Sequence, residues 1–284
     1  MFEQSPRESE WLSWVFVVLW TLIIFLTIPL ARSLQAQIME VGGRESFTYI
    51  VLASIVLVGA AAARYLTHRK TTYWSNWFWL ILVAVVFARY TYELSEAPEE
   101  ALHFVEYGIL GLLLYRALSH RIRDSSVYIS AALIGASIGA LDEAIQWAVP
   151  QRYWGYHDIW INFVAVVLTQ IGIAGGMKPA IISGLPKPKN LRIATRLSML
   201  LLVLLTASVM NTPDRVAWYA EHVPGLEFLT NNESTMAEYG YLYRDKDIGT
   251  FRSRFAPQEL QHEDRERAEQ AAAILDRYRP HRLY

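Results

Sequence analysis

Long apolar runs, separated by short polar stretches, dominate the first three quarters of the chain. Seven windows of about 17 to 22 residues are nearly free of charge, which is enough for a helix to cross a hydrocarbon core of roughly 30 Å. Since lipid cannot satisfy free backbone N–H and C=O groups, each window is predicted to be helical. The windows are Leu12–Leu30, Phe47–Ala63, Tyr73–Ala88, Ala101–Leu118, Val127–Ala148, Ile159–Met177 and Leu197–Val209.

The composition agrees with a membrane protein. Of the 284 residues, 53% are apolar and only 19% are charged, against roughly 25% charged residues in an average soluble domain. The net charge of −1 provides no positive field for a nucleic-acid partner. The absence of cysteine excludes disulfides, thiolate metal sites and a cysteine nucleophile. We therefore expect an all-α, polytopic transmembrane helix bundle of about seven spans, with no cofactor.

Positive charges are distributed unevenly between the two sides of the predicted bundle. The N-terminal segment and the loops after the second, fourth and sixth windows hold twelve Lys and Arg residues, whereas the other loops hold four. Because cytoplasmic loops are enriched in these residues, the N-terminus is predicted to be cytoplasmic and the C-terminal tail to lie outside.

The chain is predicted to have four parts. They are two N-terminal helices in 1–72, a four-helix core in 73–177, a basic loop and last helix in 178–210, and an extramembranous tail in 211–284. The tail carries ten Lys and Arg and thirteen Asp and Glu residues, without a long apolar run. Within it we expect a hairpin in Tyr239–Phe255 and a helix in Pro257–Arg279. Such a tail could recruit a protein partner.

Ionisable residues occur inside the fourth predicted span. A charge in a spanning helix costs several kcal/mol unless it is paired or faces a cavity, so each is a functional candidate. At 100° per residue, His103 and Tyr107 share one face, and Glu106 flanks it.

The fifth span ends in a second polar group. Gly135 and Gly139 form a small-xxx-small pair, which allows two helices to approach closely. Asp142 and Gln146 continue the same face, and Glu143 lies at its edge. Asp142 is therefore predicted to point toward protein rather than lipid.

The sixth span begins with a third polar group. Asp158 and Asn162 share one of its faces, and Arg152 lies in the short connection that precedes it. Given the predicted orientation, the polar ends of the fourth, fifth and sixth spans all meet near the outer headgroup boundary. We expect one polar pocket there, formed by His103, Tyr107, Asp142, Glu143, Gln146, Arg152, Asp158 and Asn162.

These residues resemble the pattern of the VanZ family of bacterial membrane proteins. The pattern comprises His103-Phe104-x-x-Tyr107, Asp142-Glu143-x-x-Gln146, Arg152 and Asp158-x-x-x-Asn162, and it covers roughly 73–177. The family usually has a glycine three residues after the asparagine, where this chain has Ala165. The resemblance implies an integral protein of the bacterial cytoplasmic membrane. The founding member of the family is associated with low-level resistance to the antibiotic teicoplanin.

Binding of a cell-envelope ligand is the first functional hypothesis. The pocket would hold a lipid headgroup, a lipid-linked cell-wall precursor or a glycopeptide. Arg152 would meet a phosphate or carboxylate, unless it is a snorkelling arginine at the interface. The carboxylates and amides would hydrogen-bond to sugar or amide groups.

Two alternatives remain open. A membrane-embedded hydrolase or transferase would use His103, Glu106, Asp142 and Glu143 as acid–base groups, or would hold a hard cation with Glu106, Asp142, Glu143 and Asp158. A structural or assembly subunit would use the same polar network to fix helix packing. In that case Asp142 and Glu143 would pair with Arg152 or Arg89, and Asp158 and Asn162 would cap the sixth helix.

Overall fold

The fold is known from a computed structural model of the chain. The structure describes residues 9–42, 45–68, 72–94, 98–150, 152, 154–229, 236, 241–246, 249–253, 261–262, 265 and 267–269. Two compact units divide the chain. The first comprises Met1–Gln146 and Tyr156–Met210, and the second comprises Trp147–Gly155 and Asn211–Tyr284.

Helices account for most of the described residues, as predicted. In chain order they are α1 (Glu10–Gly42), α2 (Glu45–Thr67), α3 (Trp74–Glu93), α4 (Pro98–Leu118), α5 (Ser126–Trp147), α6 (Tyr156–Ile171), α7 (Pro188–Val209) and α8 (Pro213–His222). A π-helical turn, Gly172–Met177, extends α6. Two helices are longer than their predicted apolar windows, since α1 continues past Leu30 to Gly42 and α7 begins at Pro188, before Leu197.

Five helices are long and apolar enough to cross a membrane, counted over the described residues. These candidate spans are Glu10–Ile28, Ala101–Leu118, Ser126–Trp147, Tyr156–Met177 and Pro188–Val209. The remaining two predicted spans correspond to α2 and α3, so a total of seven stays a prediction.

Helix α4 provides the centre of the first unit. It packs against both α6 and α1. Phe104, Tyr107, Leu110 and Leu114 recur every three or four residues, and all four are completely buried. This spacing places them on one helical face, so the buried stripe follows directly from the 3.6-residue period.

Glycines bring α5 close to α6. A Cβ atom built on Gly135 would lie 2.7 Å from Cγ2 of Val166, and one built on Gly139 would lie 3.3 Å from Cβ of Asn162. The first distance is shorter than packed side chains allow. The predicted close approach at this glycine pair is therefore confirmed, and it brings the polar end of α5 against α6.

A buried carboxylate joins the starts of α5 and α7. Asp124, which is fully buried, accepts hydrogen bonds from the backbone N–H and the hydroxyl of Ser126 at the start of α5. Its other oxygen accepts from the Asn190 amide at 2.6 Å and from the Lys187 N–H at 3.4 Å. The carboxylate thus satisfies donors that helix starts would otherwise leave unpaired.

The second unit contains α8 and a hairpin. Strands β1 (Tyr241–Asp245) and β2 (Gly249–Ser253) pair antiparallel, with Tyr243 opposite Phe251. The predicted hairpin is therefore confirmed, and it adds a two-stranded sheet to a fold that the sequence had indicated to be all-α. Helix α8 was not predicted from the sequence. Most of the predicted helix Pro257–Arg279 lies outside the described residues.

Candidate functional site

The site is centred on Tyr107 in the second turn of the α4 candidate span. Its side chain is fully buried. The Asp142 carboxyl group lies beside the Tyr107 hydroxyl, and the carboxyl groups of Glu143 and Glu106 are also near it. The structure therefore brings together predicted residues that lie 35 positions apart in sequence.

Three polar side chains come from the last turns of α5. Asp142 and Glu143 expose no surface, and Gln146 exposes 3%. The Gln146 amide donates a hydrogen bond of 2.6 Å to Oε1 of Glu143. A buried carboxyl group needs hydrogen bonds or an opposite charge to remain ionised. The amide of Gln146 supplies one such hydrogen bond to Glu143.

Asn162 is the polar residue that α6 contributes. It exposes 1% of its surface, and neither its amide nitrogen nor its carbonyl oxygen has a hydrogen-bond partner among the described residues. The position of a Cβ built on Gly139 would lie 3.6 Å both from this amide nitrogen and from a ring carbon of Tyr107. Asn162 thus faces the same region as the groups from α4 and α5.

These five residues, Tyr107, Asp142, Glu143, Gln146 and Asn162, are called the acid–amide cluster below. Tyr107 and Asn162 each lie six residues from the start of their candidate span, and Asp142 lies five residues from the end of its own. At 1.5 Å per residue, these three residues lie about 7.5–9 Å inside the ends of their spans, whereas Gln146 lies one residue from the end of α5. The acid–amide cluster was predicted to lie just inside one end of the spans, and these positions agree with that depth. The side of the membrane on which it lies stays a prediction.

His103 and Glu106 lie next to the acid–amide cluster on α4. Nδ1 of His103 and Oε2 of Glu106 are 3.1 Å apart, and their side chains expose 12% and 9% of their surface. The indole of Trp20 on α1 donates a hydrogen bond to the backbone carbonyl of Glu106. This pair is therefore more accessible than the fully buried carboxyl groups of α5.

Two further predicted residues are placed differently from the acid–amide cluster. Arg152 belongs to the second unit, so its predicted role as a phosphate clamp stays a prediction. Asp158 lies in the first turn of α6 and is partly exposed.

Two structural alternatives from the sequence need correction. Asn162 cannot cap α6, because the helix begins at Tyr156 and places this residue in its second turn. Arg89 forms its ion pair with Glu93, one turn along α3 and exposed, rather than with Asp142 or Glu143.

The open alternative of a hard-cation site has no support among the described residues. Glu106, Asp142, Glu143 and Asp158 are all described, yet no group of three or more His, Asp or Glu side chains among the described residues could hold a metal ion. A hard cation needs several oxygen ligands at about 2.3–2.6 Å, which fewer than three side chains cannot readily supply. The metal-assisted version of the enzyme hypothesis therefore has no support in this geometry.

Sequence reasoning missed the polar contacts that bring α6 against α4. The Thr169 hydroxyl donates to the Gly108 carbonyl at 3.1 Å, and the Gln170 amide donates to the Gly111 carbonyl at 2.8 Å. Gly108 and Gly111 leave these carbonyls open to a neighbouring helix because they carry no side chain. The pair of glycines within α4 was the signal that could have revealed this interface.

Comparison with protein-family models, with curated proteins and with solved structures finds no match for this chain.

Proposed function

We propose that this chain is an integral membrane protein of the bacterial cell envelope that binds the polar part of an envelope ligand in its acid–amide cluster. The ligand would be a lipid headgroup, a lipid-linked cell-wall precursor or a glycopeptide. The observation that carries the proposal is the Asn162 amide, which is buried with both polar atoms unpaired among the described residues.

Burial of an unpaired amide is costly. Leaving a buried donor or acceptor unsatisfied costs about 1–3 kcal/mol, and Asn162 presents both kinds of group. A ligand group that can both donate and accept, such as a hydroxyl or an amide, would recover this cost. Sugars and peptides carry such groups, whereas an acyl chain does not.

The neighbours of Asn162 suit the same ligand. Asp142 and Glu143 carry acceptor oxygens, and the hydroxyl of Tyr107 is a group that can donate or accept. Sites that hydrogen-bond a polar substrate group discriminate strongly against analogues that lack it, because the buried partners are then left unpaired. Selection for one class of headgroup is the expected property of this cluster.

The proposed setting follows from the resemblance to the VanZ family and from the distribution of positive charge. The protein would be integral to the bacterial cytoplasmic membrane, with a cytoplasmic N-terminus and an extracytoplasmic tail, and the acid–amide cluster would open toward the outer leaflet. A contribution to glycopeptide resistance and recruitment of a protein partner by 211–284 are further parts of this proposal.

A matched pair of buried asparagines tests the proposal. Asn76 on α3 is also buried, but it donates to the Gly176 carbonyl at 2.7 Å and accepts from the Tyr73 N–H at 3.0 Å. Asn162→Leu should abolish retention of envelope lipids by the purified protein, measured by native mass spectrometry, with little change in melting temperature. Asn76→Leu should retain the lipids but destabilise the protein by about 1–3 kcal/mol.

The reverse pattern would contradict binding at this cluster. If Asn162→Leu keeps the same lipids as the unmodified protein while losing stability, its amide has a structural role.

A structural subunit is the second candidate, and it is favoured by the complete burial of Asp142 and Glu143. Buried polar networks can fix one arrangement of helices. For a structural subunit, Asp142→Asn should lower the melting temperature in parallel with any cellular function. For a binding protein, Asp142→Asn should weaken lipid retention, and an unchanged retention would remove the cluster from ligand binding.

A further inference from the structure

Three tyrosines come together at the end of the first unit opposite the acid–amide cluster. Tyr115 lies three residues before the end of the α4 candidate span, and Tyr128 lies two residues after the start of the α5 candidate span. Their rings are nearly parallel, at an angle of 6°, with centroids 5.9 Å apart. The phenol of Tyr65, two residues before the end of α2, is also near that of Tyr115. Tyr65, Tyr115 and Tyr128 are called the tyrosine cluster below.

The hydroxyl of Tyr115 is buried without a hydrogen-bond partner among the described residues, and the residue exposes 2% of its surface. Buried phenols normally have a partner, because an unsatisfied hydroxyl is costly in an apolar environment. Tyr65 and Tyr128 are only half-buried, so the tyrosine cluster extends to the surface of the first unit. A molecule beside these helices could therefore reach the tyrosine cluster and accept the hydrogen bond of Tyr115.

Exposed basic residues lie at the same end of the first unit. Arg64 lies near the end of α2, and Arg123 lies in the connection between α4 and α5. The start of α7 is held there too, because Asp124 accepts hydrogen bonds from Ser126 of α5 and from Asn190 of α7. The exposed basic side chains at this end include Arg64, Arg123, Lys187, Lys189, Arg192 and Arg196.

Two acidic residues at this end are already engaged. Asp124 is fully buried and hydrogen-bonded, and Glu10 forms an ion pair with Arg121. Residues 178–210, which include the basic start of α7, contain no Asp or Glu. The tyrosine cluster therefore lies in a region where positive charge is in excess, in contrast to the carboxyl groups of the acid–amide cluster.

We propose that the tyrosine cluster is a second ligand site, which binds the glycerol-ester region of an anionic phospholipid whose phosphate is held among the basic residues. An ester carbonyl oxygen only accepts hydrogen bonds, which suits the donating hydroxyl of Tyr115. Ester groups lie just inside the level of the phosphates, and Tyr115 lies about 4.5 Å inside the end of its span at 1.5 Å per residue. Arginine and lysine bind phosphate, and basic pockets between spanning helices bind anionic headgroups.

Three probes separate the features of this ligand. Phosphatidylglycerol carries both the ester groups and a net negative charge, phosphatidylcholine carries the esters without the net charge, and inorganic phosphate carries the charge without the esters. Since the tyrosine cluster extends to the surface of the first unit, lipid there should exchange with detergent during purification. The full chain in a neutral detergent is therefore titrated with each probe, and its melting temperature is followed.

Phosphatidylglycerol should raise the melting temperature with half-saturation at a concentration about fivefold or more below that of phosphatidylcholine. Tyr115→Phe should raise the half-saturating concentration of phosphatidylglycerol by about fivefold, because one hydrogen bond is lost. Without lipid, Tyr115→Phe should melt at the same or a higher temperature, because it removes an unpaired buried hydroxyl. Tyr156→Phe, at the start of α6 with 63% of the residue exposed, is the matched control and should titrate as the unmodified chain does.

Equal effects of the two lipids, or the same effect from inorganic phosphate, would overturn this proposal. If Tyr115→Phe does not fold, the exposed pair Arg64→Gln and Arg123→Gln takes its place and should lower the preference for phosphatidylglycerol by about fivefold or more. Asn162→Leu separates this site from the acid–amide cluster, because it should leave the titration unchanged. Loss of the response in Asn162→Leu but not in Tyr115→Phe would overturn the second site and leave the proposed function standing.

Discussion

At the scale of single residues, Asp124 shows how one ionised group can stabilise two helices. Burial tends to raise the pKa of Asp124, but hydrogen bonds from the Ser126 hydroxyl, the Asn190 amide and two backbone N–H groups outweigh it and lower the pKa below its usual value. A negative charge is also favourable at the positive end of a helix dipole. Asp124 therefore stabilises the starts of α5 and α7 most strongly when it is ionised.

Replacement of Asp124 by asparagine should destabilise the protein by about 2 kcal/mol at neutral pH, because hydrogen bonds to a charged group are stronger than those to a neutral amide. Since the folded pKa lies below the unfolded value, the contribution of Asp124 is present above the unfolded value of about 4 and is lost as the pH falls through the folded value. Thermal melts of both proteins across this range measure the effect.

The difference in melting temperature between the two proteins should shrink on acidification below about pH 4. A constant difference at every pH would show that the charge of Asp124 contributes nothing. Ser125→Ala is a suitable control, because its half-buried side chain lies beside Asp124 and should change stability much less.

Most residues of the acid–amide cluster were predictable from the sequence, for a physical reason. Polar side chains are expensive in an apolar helix, so their positions on helical faces are informative in themselves. The pairing state of each group was not accessible in this way. Asn76 is paired because it donates to Gly176, which lies 100 residues further along the chain. Asn162 has no hydrogen-bond partner among the described residues.

At the scale of elements, glycine determines how closely the helices pack. Gly135 leaves no room for a methyl group beside Val166, which is β-branched and fully buried and cannot move aside. Gly59 on α2 has nothing within 4 Å of the equivalent position. The two positions share a residue type and a helical backbone but differ in surroundings.

Gly135→Ala should destabilise the protein by about 1–3 kcal/mol through overpacking between α5 and α6. Gly59→Ala should leave stability unchanged or raise it by about 1 kcal/mol, because alanine is the better helix former. Thermal unfolding in one detergent compares the two variants. Equal stability of the two variants would mean that α5 and α6 do not pack closely at Gly135.

Helix positions followed from hydropathy, whereas several boundaries did not. The first turns of α7 contain Lys189 and Arg192, which hydropathy counts as loop, although Pro188 is a favourable first residue for a helix. Helix α8 escaped notice because its ten residues contain no long apolar run and bury only Val216 and Ala220. The π-helical turn in Gly172–Met177 has no recognised hydropathy pattern.

At the scale of the whole molecule, the direction of the chain across the membrane is the main expectation that follows from charge. The loop at residues 178–187 follows the sixth predicted span and carries Lys178 and Lys187. Under the positive-inside rule we expect this loop to face the cytoplasm. The hairpin in the second unit should lie on the opposite side.

A membrane-impermeant maleimide tests this topology in intact cells. Lys246→Cys, in the hairpin, should be labelled directly, whereas Ala180→Cys, an exposed loop residue, should be labelled only after lysis. Labelling of position 180 but not of 246 in intact cells would invert the topology and would put the acid–amide cluster near the cytoplasmic leaflet.

We propose that the acid–amide cluster binds a polar ligand group through Asn162. An experimental density map of the protein in native lipid tests it most directly. We predict non-protein density within hydrogen-bonding distance of the Asn162 amide and beside Asp142, continuous with an acyl chain or a saccharide. A map of equal quality in which Asn162 hydrogen-bonds only to protein groups, with no density beside it, would contradict the claim.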